Sequence, residues 1–114
     1  MIHSKNNSEY YIWGNGCDSW VLRDSHGLSV KQEKMPAGTS EKLHFHEIAE
    51  QVFYILKGEA VLYVKDEKFL VKQGESISVL PNSEHCISNE SQTEIEFLVI
   101  SSPSTNNDRI EIEK

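Results

Sequence analysis

The chain has 114 residues, with 18 acidic against 11 basic side chains and a net charge of −7. That length fits one domain with a real hydrophobic core, and the lack of a Lys/Arg cluster leaves a nucleic-acid role without an electrostatic footprint. No apolar run approaches membrane-spanning length, so no membrane role is expected.

The first seven residues lack the apolar core of a signal peptide. The two cysteines, Cys17 and Cys86, have no metal-motif spacing. A cytoplasmic protein with two reduced thiols is the expectation, with a single disulfide as the alternative.

Residues 1–9 are polar. Tyr10, Tyr11, Ile12 and Trp13 read as a short strand closed by a turn at Asn15 and Gly16, a pair that readily takes positive φ. A second strand covers 19–23, and 24–27 is the next turn. Residues 28–35 alternate as Leu28, Val30, Gln32, Lys34 against Ser29, Lys31, Glu33, Met35, the pattern of a half-exposed strand. Pro36, Ala37 and Gly38 break it. Val52 to Leu56 is apolar at every position, so both faces of that strand look covered, the inner by the core and the outer by a second layer or another subunit. A homodimer is expected, since so small a chain has little else to lay over that face. Strands over 59–64 and 68–71 form a hairpin around Lys65, Asp66 and Glu67. Further strands fall at 76–81, 85–88 and 95–100, and Ile110 and Ile112 alternate with Glu111 and Glu113 as a short edge strand. Eight to ten short strands with no helical period make an all-β antiparallel sandwich or barrel.

The centre of the pattern is His44-Phe45-His46. On a strand the two histidines share one face, and two imidazoles one pleat apart suit a divalent metal, each offering a lone pair about 2 Å from the ion. Two imidazoles alone hold a metal weakly. Gln51, its neighbour Glu50 and His85 are placed to add to them.

Gly38, His44, His46, Gln51 and Gly58 form Gly-x5-His-x-His-x4-Gln-x6-Gly, which resembles the first motif of the cupin superfamily. The stretch from Gly74 through Pro81 to His85, followed by Asn89, resembles its second motif. Together they cover roughly residues 28–100. The resemblance implies a small single-domain cupin: a jelly-roll or double-stranded β-helix barrel, with N-terminal strands over 1–27 that reach a dimer interface and a tail over 101–114. It implies one divalent metal ion per chain (Fe, Mn, Ni, Zn or Co) held by His44, His46 and His85, with Gln51 where many cupins place Glu. Asn82 stands where Gly is usual, and Asn tolerates the left-handed conformation. Asn89 reads as structural.

Strand parity sketches the pocket wall. Phe53 and Ile55 share the Gln51 face, Ile87 shares that of His85, and Ile77 and Val79 precede the turn. Phe97 and Val99 face this cavity or its opposite. Trp13, Trp20 and Tyr54 are candidates for a lid or a dimer seam. Such an apolar mouth favours a small organic ligand with one or two oxygens that reach the metal. Fe(II) with open positions would support dioxygenase chemistry, the leading expectation. Lewis-acid chemistry on a sugar or keto acid, as an isomerase, epimerase or lyase, is the alternative and needs a base, for which Glu50, Tyr63 and His26 are weak candidates. A non-catalytic binding or sensor barrel is the third reading.

Overall fold

The computed structural model describes residues 1–113. Eleven strands follow in chain order: β1 (Glu9–Trp13), β2 (Cys17–Asp24), β3 (Ser29–Met35), β4 (His44–Phe45), β5 (Glu50–Lys57), β6 (Glu59–Val64), β7 (Glu67–Lys72), β8 (Ser76–Val79), β9 (His85–Ser88), β10 (Ile95–Ser102) and β11 (Ile110–Glu111). There is no helix among the described residues, and none long and apolar enough to cross a membrane. The strands form a six-stranded sheet, β1-β2-β3-β10-β5-β8, and a five-stranded sheet, β11-β4-β9-β6-β7. Every pairing is antiparallel. This is the all-β antiparallel class that the alternating pattern implied and the jelly roll that the family resemblance implied, with the short tail strand β11 closing on β4.

Period-2 alternation decides which side chains meet between the sheets. Phe53, Ile55, Val79, Ile95 and Phe97 from the larger sheet pack with Ala60, Leu62, Val71 and Ile87 from the smaller one. Met35 at the end of β3 is fully buried in the same cluster. Met35 fixes the parity of its strand: Ser29, Glu33 and Met35 are buried, while Val30, Gln32 and Lys34 lie on the other side and are half exposed.

The outer face of the larger sheet is less covered than its composition led us to expect. Val52 is half-buried, but Tyr54 and Leu56 remain 39% and 36% exposed on a single chain. In register, Leu98 lies between Gln32 and Tyr54, and Ile100 between Val30 and Val52. Trp20 adjoins Gln32 and stacks on Tyr10 at 5.4 Å between ring centroids. Trp20 and Tyr54 therefore belong to this outer face, whereas Trp13 turns inward.

Several turns carry backbone that most residues avoid. The β6–β7 hairpin turns on Lys65 (φ 49°) and Asp66 (φ 68°), with Glu67 already in strand, the geometry of a two-residue primed turn. Asn82 has φ 66° and its N–H donates to the carbonyl of His46 at 2.6 Å, so the Asn-for-Gly exchange keeps the turn intact. Between β5 and β6, Gly58 has φ +83°, and a Cβ there would lie 2.9 Å from Ile95 Cγ2 and 3.2 Å from the Glu94 carbonyl oxygen. Both the dihedral and the close approach demand glycine. Gly58→Ala should therefore destabilise the fold by roughly 1–3 kcal/mol, read as a lower urea midpoint at unchanged slope; an unchanged midpoint would show that neither constraint matters.

Candidate metal centre

β4 is only two residues long, because the chain leaves the sheet immediately after Phe45. It nevertheless delivers both histidines to one side: His44 and His46 are buried, while Leu43 and Phe45 are half-buried opposite. His85 opens β9, and the register pairs it directly with His44. The ring centroids lie 4.3 Å apart for His44 and His85, 5.0 Å for His44 and His46, and 5.5 Å for His46 and His85. One nitrogen from each ring falls within 4.8 Å of the others, a group that can hold a metal ion.

Each ring is oriented by a hydrogen bond on its far nitrogen. Nδ1 of His44 bonds the carbonyl of Lys42, Nδ1 of His85 that of Ser83, and Nδ1 of His46 that of Asp108, each at 2.8 Å. A carbonyl only accepts, so Nδ1 carries the proton in all three and Nε2 keeps its lone pair. Burial, reinforced for His44 by the neighbouring His85, lowers the His44 pKa to about 3, and burial lowers that of His85 to about 4. His46 is shifted down as well, again chiefly by burial. All three are neutral imidazoles at pH 7.

Two polar atoms are left in an arrangement that suits a cation. Nε2 of His46 is buried with no hydrogen-bond partner among the described residues, a costly state for a polar atom. Gln51, buried on the inward face of β5, donates its amide N–H to Ser101 Oγ at 3.0 Å, which turns Oε1 toward Nε2 of His85 at 2.9 Å. With Nδ1 protonated, that contact sets two lone pairs face to face. A proton between them would require an imidazolium, which burial of His85 disfavours, so a positive ion relieves the clash best. The spacing also equals that of adjacent ligands each about 2.1 Å from one ion. The donor set fits a divalent metal.

The site opens into a cavity of about 580 Å³. Of the residues that strand parity offers for its wall, Phe53 lines it, and so does Val99, whose side parity leaves open. Ile55, Val79, Ile87 and Phe97 are buried in the core beneath, and Ile77 faces a separate shallow depression next to Phe69 and Leu70. The wall is more polar than an apolar mouth. Lys31 and Glu33 enter from β3, Glu41 from the segment before β4, Arg109 from the C-terminal tail, and Tyr11 and Trp13 from β1. The inward parity of Lys31 and Glu33 follows once Met35 is known to be core. Nothing local in the sequence marks Glu41 or Arg109.

Burial pushes the Glu41 carboxyl up to about 7, against the pull of Arg109. Arg109 Nη1 lies 3.4 Å from Glu41 Oε2, and its Nε lies 3.3 Å from Glu111 Oε2. Burial likewise raises Glu33, which Lys31 and Arg109 pull the other way. Lys31 lies over the Tyr11 ring at 5.5 Å and has no carboxylate within 4.0 Å among the described residues.

The other sequence candidates lie elsewhere. Glu50 is exposed, pointing away from Gln51. Tyr63 donates its hydroxyl to Glu90 outside the cavity. His26 sits in an exposed turn. Asn89 is structural: its amide donates to the carbonyls of Met35 and Thr93, and its oxygen accepts from the Ser91 N–H and hydroxyl.

Comparison with known proteins agrees with this architecture. Over 84 residues the chain is 32% identical to an uncharacterized protein of Methanocaldococcus jannaschii, covering 74% of this chain and 67% of that one. Over 67 residues it is 34% identical to the oxalate-binding protein of Thermotoga maritima, covering 59% of this chain and 55% of the relative. The matches thus span about half to two thirds of those relatives' own lengths. A Streptomyces Pac13 variant solved with uridine superposes with a TM-score of 0.84 at 17% identity, over 99% of this chain and 91% of the other, a likeness of fold. Residues 31–101, more than half of the sequence, match the family model described as Cupin domain. The chain belongs to the cupin family.

Proposed function

We propose that this cupin is a metalloenzyme in which His44, His46, His85 and Gln51 hold one divalent ion, and Glu33 and Glu41 move protons on a small, oxygen-rich, acidic substrate. The observation that carries the reading is the pair of carboxyls, both raised by burial, on the wall of the same cavity as His44, His46 and Gln51. The exposed or distant groups that a sequence search offers as bases are thereby replaced by two that reach the site.

When bound, a divalent ion supplies Lewis-acid polarisation of a substrate oxygen. Imidazole donors suit Zn, Fe or Ni among the candidate metals. The neutral Gln51 leaves more of the ion's charge for the substrate than a Glu would. A group titrating near 7 is matched to giving and taking protons at neutral pH, and Glu41 has that property. Glu33 works from the β3 wall, where Lys31 and Arg109 offer positive charge to a substrate carboxylate. Tyr11 and Trp13 form an aromatic side to the entrance. Isomerase or lyase chemistry on a sugar or keto acid fits this set best.

A dioxygenase reading draws support from the same three histidines, which would leave positions on Fe(II) open to substrate and oxygen. A binding-only reading draws support from the oxalate-binding relative. We also propose that a second copy covers the outer face of the larger sheet, where Val30, Val52, Leu98 and Ile100 bring no charge and Tyr54 is exposed. The two free thiols, Cys17 and Cys86, suit a cytoplasmic location.

Purified protein should contain about one divalent ion per chain, and His46→Ala should lose it while staying folded. Without oxygen, loaded protein should turn over a member of a panel of sugars, uronates and keto acids. Glu33→Gln should slow that turnover roughly 10²–10⁴-fold with metal content unchanged. Oxygen uptake matching turnover in iron-loaded protein would establish the dioxygenase reading instead, and ligand binding without turnover the binding-only one. Sedimentation equilibrium should give twice the chain mass, and Leu98→Glu should return a monomer; a monomeric wild type would overturn the dimer.

Protons compete for the nitrogens that bind the ion. In the metal-free protein the folded-state pKa values of His44 and His85 lie below the ordinary 6.5, so the unfolded chain takes up more protons as pH falls. Their contribution is fully present above about 6.5 and lost as pH drops toward 4 and 3. Metal-free protein should melt at progressively lower temperature through that window, and His44→Gln should flatten the decline. An equal slope in the variant would refute the assignment.

A further inference from the structure

Two of the three imidazoles are oriented locally and one is not. His44 and His85 each bond the carbonyl two residues before them, Lys42 and Ser83. His46 instead bonds the carbonyl of Asp108, 62 residues away in the C-terminal tail. The side chain of that aspartate closes on the turn that follows His46. Asp108 Oδ1 accepts the N–H of Glu47 at 2.9 Å, and Oδ2 accepts those of Ile48 at 3.1 Å and Ala49 at 3.0 Å. Three successive N–H groups converging on one carboxylate form an anion-binding nest, here filled by the protein's own residue.

We propose that Asp108 is a positioning residue for the metal centre: its carboxylate clamps the 47–49 turn so that its own carbonyl sets the tautomer and orientation of His46. The proposal rests on the metal-binding reading above. One residue thus grips both sides of the third ligand, its backbone holding the ring and its side chain holding the backbone that carries the ring. The clamp is buried: Asp108 is 9% exposed and Ala49 1%. Beside it the tail turns through the Asp108 N–H to the Thr105 carbonyl at 2.9 Å, and it is anchored by the pairing of β11 with β4 and by the Ile112 N–H to the Leu43 carbonyl at 2.9 Å. These contacts continue past the clamp, so loss of the carboxylate leaves the strap attached while releasing the turn. The adjacent Arg109 is carried to the cavity by the same strap, which makes residues 105–111 a wall of the site.

Asp108→Asn keeps the side chain's shape but replaces one acceptor oxygen with an NH2 that cannot accept. Zinc affinity should fall about 10- to 100-fold, the usual loss when a group orienting a metal-ligating histidine is removed. In metal-free protein, long-range ¹H–¹⁵N correlation spectra of the imidazoles should show the nitrogen shifts of His46 moving toward a mixed tautomer while those of His44 and His85 stay put. A merely structural role would lower the melting temperature and leave both readouts at their wild-type values, and that result overturns the proposal. If wild-type protein binds no zinc, the metal reading fails, and the imidazole spectra alone decide whether Asp108 orients His46. Should Asp108→Asn not fold, wild-type hydrogen exchange settles the point: the amides of 47–49 should exchange more slowly with zinc bound than without, because the coupling between clamp and ligand is reciprocal. Equal exchange would overturn it.

Discussion

Three Nδ1–H to carbonyl hydrogen bonds hold the centre of this molecule together. Each spends the proton of a buried imidazole on backbone and turns the opposite nitrogen inward as a bare lone pair. Burial keeps the rings neutral, so the lone pairs remain available near pH 7. The resulting collection of acceptors, including an Nε2 without a partner among the described residues and an amide oxygen facing another lone pair, is one that a cation could satisfy.

The scaffold exists to bring these donors together from separate parts of the chain. β4 contributes two, β9 one and β5 the amide, and the register between β4 and β9 sets His44 against His85. The hydrophobic core, with Phe53, Ile55, Leu62, Ile87 and Phe97, fills the space between the sheets, and Phe53 also lines the cavity. Asn82, at positive φ, shapes the turn whose N–H donates to the His46 carbonyl, while Gly58 shapes the turn at the other end of β5 from Gln51. The cavity wall then mixes cations and acids, Lys31 and Arg109 with Glu33 and Glu41, and is more polar than an apolar mouth.

The C-terminal tail changes meaning in three dimensions. As a run of serine, threonine and asparagine it reads as connection. Folded, it pairs with the histidine strand, presents Arg109 to the cavity and places Asp108 against the turn after His46. Residues far apart along the chain thus share one local electrostatic problem, the orientation of a ring and the satisfaction of three backbone donors.

What could be read from the amino acids alone was whatever is periodic or short-range. Period-2 alternation marked the strands and the all-β class, the His-x-His spacing put two imidazoles on one face, and the glycine and asparagine turns announced themselves by their conformational tolerance. The family motifs added His85 and Gln51. Even Lys31 and Glu33 lay within reach, since Met35 shares their parity. Tertiary structure alone decided the rest: that Ile55, Val79, Ile87 and Phe97 belong to the core and not to the cavity wall, that Glu41 and Arg109 meet there, and that the His46 ring bonds the Asp108 carbonyl 62 residues away. Strand parity assigns a side chain to a face but not to a height along the barrel axis, and no local pattern encodes which distant segment will satisfy a given nitrogen. Those outcomes follow from how the two sheets close on each other.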